Sequence, residues 1–484
     1  MDDPHEETLD PGDWSAARAV AHRAVDDAIA HLSGVRERPA WQEPPTPVRN
    51  YFTQPLPRSP AALAQVYGEL VEYLRPYPMG NIHPRFWAWF MGAGNFTGAL
   101  GDFLAAVDGS NLGGGNTAPA LLDRQVVGWL RDMVGLPASA SGTLTSGGSA
   151  ANLVALTVAR NAKAGVDVRA EGVGALRRPL RFYASDQVHS CHQKALEILG
   201  LGHQALHLVA TDTDFRVDVS ALAAAIADDR ARGFEPAAVI ASAGTVNTGA
   251  VDDLQAVGDL CRREGLWFHV DGCIGALLRI APAHRHLVAG IEAADSVALD
   301  PHKWLHAPFE AGCALVRDAR LHYGTFALHP EYLEKHPRGV AGAEYLFDYG
   351  IELSRGFKAL KVWMALKEHG VEKFGRLIDQ NIAQAQYLVG RIEAEPRLEL
   401  LAPAPINIVC FRHRLPGAAE PALKAFNTEI MLRLQEAGTM VLSDTTLHGR
   451  HGLRVAIANH RTRRADLDLL VAEVLRLGAE LQQG

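Results

Sequence analysis

The sequence predicts an α/β protein with a large, mostly parallel sheet domain, a smaller C-terminal α+β domain and an N-terminal helical arm. Three observations support this. A helical pattern followed by many prolines opens the chain, short apolar runs alternate with helix-like segments from about Thr117, and a second alternation follows Phe357. The 484 residues suffice for two or three domains. We expect the divisions 1–95, 96–355 and 356–484.

The N-terminal arm combines one amphipathic helix with an extended segment. Residues 14–32 carry apolar side chains at helical spacing. Seven prolines between Pro39 and Pro60 disfavour helix and predict an extended stretch along a surface. Because such an arm is too small to be stable alone, we expect it to pack on a second copy of the chain in a homodimer.

The middle of the chain alternates strand-like and helix-like segments, which is typical of a parallel sheet covered by helices on both faces. The strand-like runs are residues 181–184, 206–209, 238–241, 266–270 and 296–299. Two further runs, residues 406–409 and 453–457, predict strands in the C-terminal domain. Ligands bind such parallel sheets at the carboxyl ends of the strands, so residues that follow these runs are candidates for a site.

Composition and charge argue against nucleic acid and membranes as partners. Hydrophobic residues make up 48% of the chain and the formal net charge is −8. No apolar run approaches the length that a bilayer requires, and the first residues are acidic, so we expect a cytoplasmic protein. The five cysteines form no C-x-x-C pair, which favours reduced thiols over disulfides or a zinc site. We therefore predict no metal.

A glycine-rich turn opens one of the predicted helices. Gly147, Gly148 and Ser149 follow Thr145-Ser146 and precede a run of good helix formers. Glycine lets backbone N–H groups approach an anion, the helix start adds partial positive charge, and Ser149 offers a hydroxyl. These properties suit a phosphate group. A turn of this kind is also a common helix cap, so alone it leaves both interpretations open.

Two charged residues follow predicted strands. Asp271 ends an apolar run, where a shielded carboxylate needs a partner such as a pyridinium N–H, although it could instead cap a helix. Lys303 follows the strand that ends at Leu299 and precedes Trp304. Desolvation there could lower its charge and make it a Schiff-base amine, although a surface lysine is the commoner case.

Together the three features predict a site for pyridoxal 5'-phosphate (PLP). A PLP enzyme must grip the phosphate, keep the ring nitrogen protonated and supply a lysine to the cofactor aldehyde. The glycine turn, Asp271 and Lys303 occur in that order, each at a predicted sheet terminus. Without Asp271 the ring would be a much weaker electron sink.

The chain resembles the group II pyridoxal-dependent amino acid decarboxylases, and among them the aromatic L-amino acid decarboxylases. The most specific motif is Pro301-His302-Lys303-Trp304, and the resemblance runs from about Asn81 to the C-terminus. The other similar segments are Asn81-Ile82-His83-Pro84-Arg85-Phe86, Ser185-Asp186-Gln187-Val188-His189-Ser190 and Gly244-Thr245 running on to Asp252. The resemblance implies PLP fold type I and a homodimer with active sites at the subunit interface.

The resemblance also implies roles for individual residues. His189 is expected to stack on the cofactor ring, and Tyr332 to protonate Cα after carbon dioxide leaves. The expected catalytic residues are therefore Lys303, His189, Asp271 and Tyr332. The expected cofactor-binding residues are Gly148, Ser149, His189, Thr245, Asp271, Ser296, His302 and Lys303. Because related aldehyde-forming enzymes tend to lack the tyrosine or the stacking histidine, simple decarboxylation to the amine is favoured.

The expected substrate is an aromatic L-amino acid such as tyrosine, DOPA, phenylalanine or tryptophan. The segment that contains Trp87, Trp89 and Phe90 lines the side-chain pocket in the aromatic decarboxylases. Ser354 stands where plant members that prefer phenolic substrates have serine, which favours a tyrosine-like substrate.

Two alternatives stay open for the reaction. One is an acidic or small substrate of the glutamate or diaminobutyrate type, for which Arg85 or Arg355 would supply a basic pocket residue. The other is decarboxylation-dependent oxidation to an aldehyde. A non-catalytic role is disfavoured because Lys303, Asp271 and His189 occur together with Tyr332.

Overall fold

A seven-stranded sheet organises the large domain. The computed structural model describes residues 7–328, 330 and 336–483. The strands of the sheet are β1 Ser141–Thr145, β2 Leu180–Ser185, β3 Leu206–Val209, β4 Glu235–Ser242, β5 Trp267–Asp271, β6 Ser296–Leu299 and β7 Gly312–Val316. In space they follow the order β1-β7-β6-β5-β4-β2-β3, and β7 alone runs antiparallel to its neighbours. The mostly parallel α/β fold is confirmed, with β1 and β7 as strands that the sequence did not predict.

Helices cover both faces of this sheet. They are α4 Phe96–Asp108, α5 Ala118–Val134, α6 Gly148–Lys163, α7 Val168–Glu171, α8 Cys191–Ile198, α9 Val219–Ala231, α10 Leu254–Glu264 and α11 Ala319–Phe326, numbered after the three N-terminal helices described below. On α5 the side chains of Val126, Leu130 and Val134 are fully buried at a spacing of four residues. Each such burial contributes about 1.5 to 3 kcal/mol, which fixes the inward face of the helix. Within the described residues, no helix is both long and apolar enough to cross a membrane.

The C-terminal domain is a four-stranded antiparallel sheet with helices packed on it. Its elements are α12 Lys358–His369, α13 Val371–Glu393, β8 Leu398–Leu400, β9 Ile408–His413, α14 Glu420–Glu436, β10 Ser443–Leu447, β11 Arg450–Ala456 and α15 Arg464–Gln483. The strand order is β10-β11-β9-β8. Both strands predicted from the sequence are present, as β9 and β11, with shifted ends.

The N-terminal arm contains more helix than its prolines suggest. Its elements are α1 Trp14–Ser33, α2 Thr46–Tyr51, α3 Leu63–Glu69 and a π-helical turn at Leu70–Leu74. The extended segment predicted between Pro39 and Pro60 is therefore wrong at α2. Pro47 lies in the first turn of that helix, where its missing N–H would have had no helical partner.

A bridging segment, residues 81–95, runs from the arm through the C-terminal sheet to the large domain. The Trp87 N–H donates to the Val441 carbonyl at 2.8 Å, and the Ala456 N–H donates to the Trp87 carbonyl at 3.0 Å. At the other end of the segment, Gly92 lies very close to the main chain of the loop that carries His302 and Lys303. A Cβ on Gly92 would be 1.7 Å from the His302 carbonyl oxygen. Glycine is required at this point, and the segment ties both domains to the loop that carries Lys303.

Candidate active site

A cavity of about 560 Å³ lies at the carboxyl ends of β1, β5 and β6. The turn after β1 contributes Ser146 to Ser149, β5 contributes Asp271, and the loop after β6 contributes Asp300, His302 and Lys303. The parallel topology brings these segments together although they are far apart in the chain.

The glycine turn forms a narrow cradle at the start of α6. A Cβ on Gly148 would lie 2.4 Å from the Cys273 sulfur and 2.8 Å from Oδ2 of Asp300, so only glycine fits without a shift. In the described part of the chain no side chain caps the N-terminus of α6. Its first N–H groups and the Ser149 hydroxyl therefore stay available to an anion in the cavity.

Lys303 is held by a carboxylate in the same loop. Its Nζ lies 2.9 Å from Oδ2 of Asp300 and 5.7 Å from the centre of the Phe90 ring. Burial lowers the pKa of Lys303, but Asp300, Cys273 and Asp271 outweigh burial and raise the pKa above its usual value. The loss of charge expected from desolvation is therefore wrong, because Asp300 stabilises the ammonium form.

Asp271 presents an ionised carboxylate to the cavity. Nε2 of His192 lies 2.8 Å from its Oδ2, and the Cys273 N–H donates to its Oδ1 at 3.2 Å. Burial raises the pKa of Asp271, but the hydrogen bond and charge of His192 outweigh burial and hold this pKa well below its usual value. A fixed negative charge of this kind is what a protonated pyridine nitrogen requires.

The remaining cavity residues include three that the resemblance singled out. His189 lines the cavity, and its Nδ1 accepts a hydrogen bond from the Cys191 N–H at 3.1 Å. Thr245 lines it with a hydroxyl 3.0 Å from that of Thr248. His302 also lines it, and burial lowers its pKa, which keeps the imidazole neutral.

Three predicted site residues do not reach the cavity. Ser296 lies at the amino end of β6, where its hydroxyl is 2.8 Å from both the Trp267 indole nitrogen and Nδ1 of His269. The expectation that it lies near the phosphate is wrong. Trp87 is fully buried in the core of the C-terminal domain, so it is not a pocket residue. Ser354 is exposed and lies outside the cavity lining of this chain. Tyr332 falls outside the described residues.

Trp89 and Phe90 do line the cavity, as expected from the sequence. Trp89 adopts a left-handed backbone conformation with φ of 53° and is 55% exposed. Phe90 is buried and packs edge-on against Trp304 with ring centres 5.9 Å apart. Together they form an aromatic wall beside Lys303.

Sequence reasoning missed several residues of the site. Asp300 directly precedes the motif Pro301-His302-Lys303-Trp304, and among the described residues its Oδ1 has no hydrogen-bond partner. Arg454 lines the cavity from β11, and its burial lowers its pKa to about 10. A charged residue inside the apolar run at 453–457 was the available signal. The rival candidates Arg85 and Arg355 pair instead with Asp466 and Asp123, away from the cavity.

The residues present fit PLP. One cavity combines a glycine cradle for a phosphate, an ionised carboxylate for a ring nitrogen and a primary amine for an aldehyde. A model of the pyridoxal-dependent decarboxylase conserved domain matches residues 45–414. The chain belongs to this family of pyridoxal-dependent decarboxylases. It is therefore an enzyme with PLP as its cofactor.

Characterised relatives of this decarboxylase match along nearly their full length. An aromatic-L-amino-acid decarboxylase of Bacillus atrophaeus is 34% identical over 480 residues, covering 96% of each chain. Tryptophan decarboxylase 1 of Oryza sativa subsp. japonica is 30% identical, covering 94% of this chain and 92% of the relative. The crystal structure of Oryza sativa TDC with PLP and tryptamine superposes with a TM-score of 0.90 at 27% identity, covering 98% and 100% of the two chains.

Proposed function

We propose that this decarboxylase converts an aromatic L-amino acid, of the tyrosine, DOPA, phenylalanine or tryptophan type, to the amine and carbon dioxide. The observation that carries the proposal is the aromatic wall of Trp89 and Phe90 beside Lys303. An aromatic substrate side chain would stack on or pack edge-on against such rings. The names of the relatives from Bacillus atrophaeus and Oryza sativa agree with this substrate class.

Lys303 is the amine that holds the cofactor in this proposal. Its ammonium must lose a proton to become a nucleophile, and Oδ2 of Asp300, 2.9 Å away, is positioned to accept that proton. The glycine cradle at Gly148 and the hydroxyl of Ser149 bind the phosphate. Thr245 and His302 complete the binding set from the cavity wall.

The chemistry divides between the cofactor and the chain. PLP, when bound, supplies a pyridinium ring that takes up the electron pair of the broken Cα–carboxylate bond. Asp271 keeps the ring nitrogen protonated through its ionised carboxylate, and His189 covers the ring face. By the family resemblance, Tyr332 donates the proton that Cα receives after carbon dioxide leaves.

A second candidate substrate class is the acidic or small amino acids, and Arg454 is the observation that favours it. It lines the cavity from β11 and is buried. Its guanidinium donates to the carbonyls of Trp89, Val246 and Asn247.

A third candidate, oxidation to an aldehyde, is raised by a phenylacetaldehyde synthase of Arabidopsis thaliana that is 28% identical over 468 residues.

Product analysis by mass spectrometry decides between these candidates. The PLP-loaded protein is incubated separately with aromatic, acidic and small L-amino acids, with Lys303→Ala as the matched inactive control. We expect amines from aromatic substrates. Amines from acidic or small substrates alone would overturn the aromatic assignment, and aldehyde with hydrogen peroxide would overturn the amine product.

We also propose that the decarboxylase works as a homodimer with its active sites at the subunit interface. Exposed apolar side chains form a stripe along α4, namely Phe96, Leu100, Phe103, Leu104 and Val107. Others lie on α1 and α3 of the arm, and an apolar surface of this extent favours a partner. Sedimentation should give twice the chain mass of 52.2 kDa, and a monomer at micromolar concentration would contradict the proposal.

We propose a cytoplasmic location, which the five unpaired cysteines support.

A further inference from the structure

Two histidines lie at the start of α8. His189 lies just before the helix and lines the cavity, while His192 lies in its first turn and is fully buried. Nε2 of His192 lies 2.8 Å from Oδ2 of Asp271.

The Asp271 carboxylate is restrained from two directions. The Cys273 N–H donates to Oδ1 from the same loop, and His192 approaches Oδ2 from α8. A buried carboxylate with both oxygens engaged has little freedom to rotate. Asp271 still lines the cavity, so its carboxylate stays accessible to a ring nitrogen bound there.

His192 and His269 are neighbouring buried histidines, and of these two His192 is the charged one. His269, whose ring centre is 6.0 Å away, lies 2.8 Å from Oδ1 of Asn152 through Nε2 and 2.8 Å from the Ser296 hydroxyl through Nδ1. The amide oxygen can only accept, so Nε2 of His269 carries a proton. The Ser296 hydroxyl accepts from the Trp267 indole N–H and can donate its own proton to Nδ1, and burial lowers the pKa of His269 to about 3. His269 is thereby held in its neutral form.

The other groups near His192 are Cys191, His189 and Lys303. Burial lowers the pKa of His192, but its hydrogen bond to Asp271 and the adjacent Cys191 side chain outweigh burial and raise the pKa to about 10. Burial raises the pKa of the Cys191 thiol, but the imidazoles of His189 and His192 outweigh burial and lower this pKa to about 6. Lys303 contributes a further positive charge close to Asp271.

We propose that His192 is a positioning residue for the cofactor, which acts by donating a hydrogen bond from Nε2 to Asp271 and keeping that carboxylate ionised and correctly aimed. The inference rests on the role proposed above for Asp271. Without His192, the carboxylate loses the partner that offsets its burial and binds the protonated ring nitrogen less well.

Two substitutions of His192 separate its hydrogen bond from its bulk. His192→Leu removes the donor, whereas His192→Gln places an amide N–H near the position of Nε2. The equilibrium dissociation constant for PLP is measured by absorbance titration of the apoprotein. The protonation state of the ring nitrogen is read from the ¹⁵N chemical shift of labelled PLP. We expect His192→Leu to raise the dissociation constant about tenfold or more and to shift the ¹⁵N signal toward the unprotonated form.

We expect His192→Gln to stay within about threefold of the parent protein and to keep the protonated signal. The exposed neighbour Gln193, changed to leucine, is the matched control and should leave both measurements unchanged. If His192→Leu does not fold, His192→Asn replaces it. Its amide is one methylene too short to reach Oδ2, so it must show the same loss.

A double-mutant cycle with Asp271→Asn distinguishes the possible failures. If His192 acts through Asp271, His192→Leu raises the dissociation constant less than about threefold in the Asp271→Asn background. Equal losses in both backgrounds would overturn the positioning role and leave the role of Asp271 standing. If Asp271→Asn alone keeps the affinity and the ¹⁵N signal, the proposed role of Asp271 is the one that fails.

Discussion

Replacing Gly148 by alanine tests whether the cradle at the start of α6 shapes the cofactor site. The new Cβ would lie 2.4 Å from the Cys273 sulfur and 2.8 Å from Oδ2 of Asp300. Ordinary contacts between such atoms are about 3.5 to 4 Å, so the neighbours or the turn must move by about 1 Å. Because Asp300 also holds Lys303, the displacement reaches the amine that attaches the cofactor.

The expected loss follows from overpacking. Inserting one methyl group into a packed site costs about 1 to 3 kcal/mol. If this cost falls on the cofactor-bound form, the dissociation constant for PLP rises roughly 5- to 150-fold. The measurement is absorbance titration of the apoprotein with PLP, together with the thermal unfolding midpoint of the apoprotein and the loaded protein.

Two further variants identify the cause of that loss. Cys273→Ala removes the sulfur that the new methyl group meets, so the double variant should regain part of the affinity, the remainder being lost to the 2.8 Å contact with Oδ2 of Asp300. Gly390→Ala on α13 is the matched control, because a Cβ there meets nothing within 4 Å, and it should leave PLP binding unchanged. Unchanged affinity in Gly148→Ala, or no recovery in the double variant, would refute the steric argument.

Four other substitutions give separate tests. Lys303→Ala should abolish amine formation and should leave no cofactor covalently attached after reduction with borohydride. Normal turnover would exclude Lys303 as the attachment site. Tyr332→Phe should shift the products toward aldehyde, ammonia and hydrogen peroxide, so an unchanged amine yield would count against its role. Trp89→Ala should raise KM for an aromatic substrate about tenfold with little change in the unfolding midpoint, because the side chain is 55% exposed; an unchanged KM would contradict the aromatic wall. His269→Gln should lose about 2 kcal/mol less stability than the parent protein between pH 7 and pH 5, as measured by denaturant unfolding. Burial lowers the pKa of His269 to about 3 in the folded protein, so its contribution is present above the unfolded pKa of about 6.5 and is lost as pH falls toward 3; equal losses in both proteins would contradict this.

The sequence predicted the central residues because they follow strands of a parallel sheet. Asp271 and Lys303 come directly after apolar runs, and the topology of such sheets brings carboxyl ends together. The same geometry explains why the prediction for Ser296 was wrong. It lies at the amino end of β6, the end of the strand opposite the cavity, where its hydroxyl contacts Trp267 and His269.

The pocket aromatics show why a linear pattern is insufficient. Trp87 and Trp89 are two residues apart, so in a regular extended segment both side chains would point the same way. Trp87 is buried in the C-terminal core, whereas the positive φ of Trp89 turns its side chain to the cavity. A non-glycine residue in that conformation cannot be read from neighbouring residue types, because the tertiary contacts impose it.

His192 was predictable in part. It lies three residues after His189, a residue that the family resemblance singled out, and in the first turn of α8. Its partner Asp271 is 79 positions away in the chain, so the contact itself required the fold.

The bridging segment, residues 81–95, has a consequence for the order in which the protein folds. Its Trp87 is fixed by hydrogen bonds to Val441 and Ala456, which are synthesised much later than Trp87 itself. Its Gly92 packs on the loop of Lys303. The large domain can collapse while the chain is still on the ribosome. The loop that carries Lys303, however, gains this support only after the sheet of the C-terminal domain has emerged. Formation of the cofactor site is thereby coupled to synthesis of the C-terminal sheet, and a nascent fragment that ends before Val441 lacks the contacts that hold residues 81–95 in place.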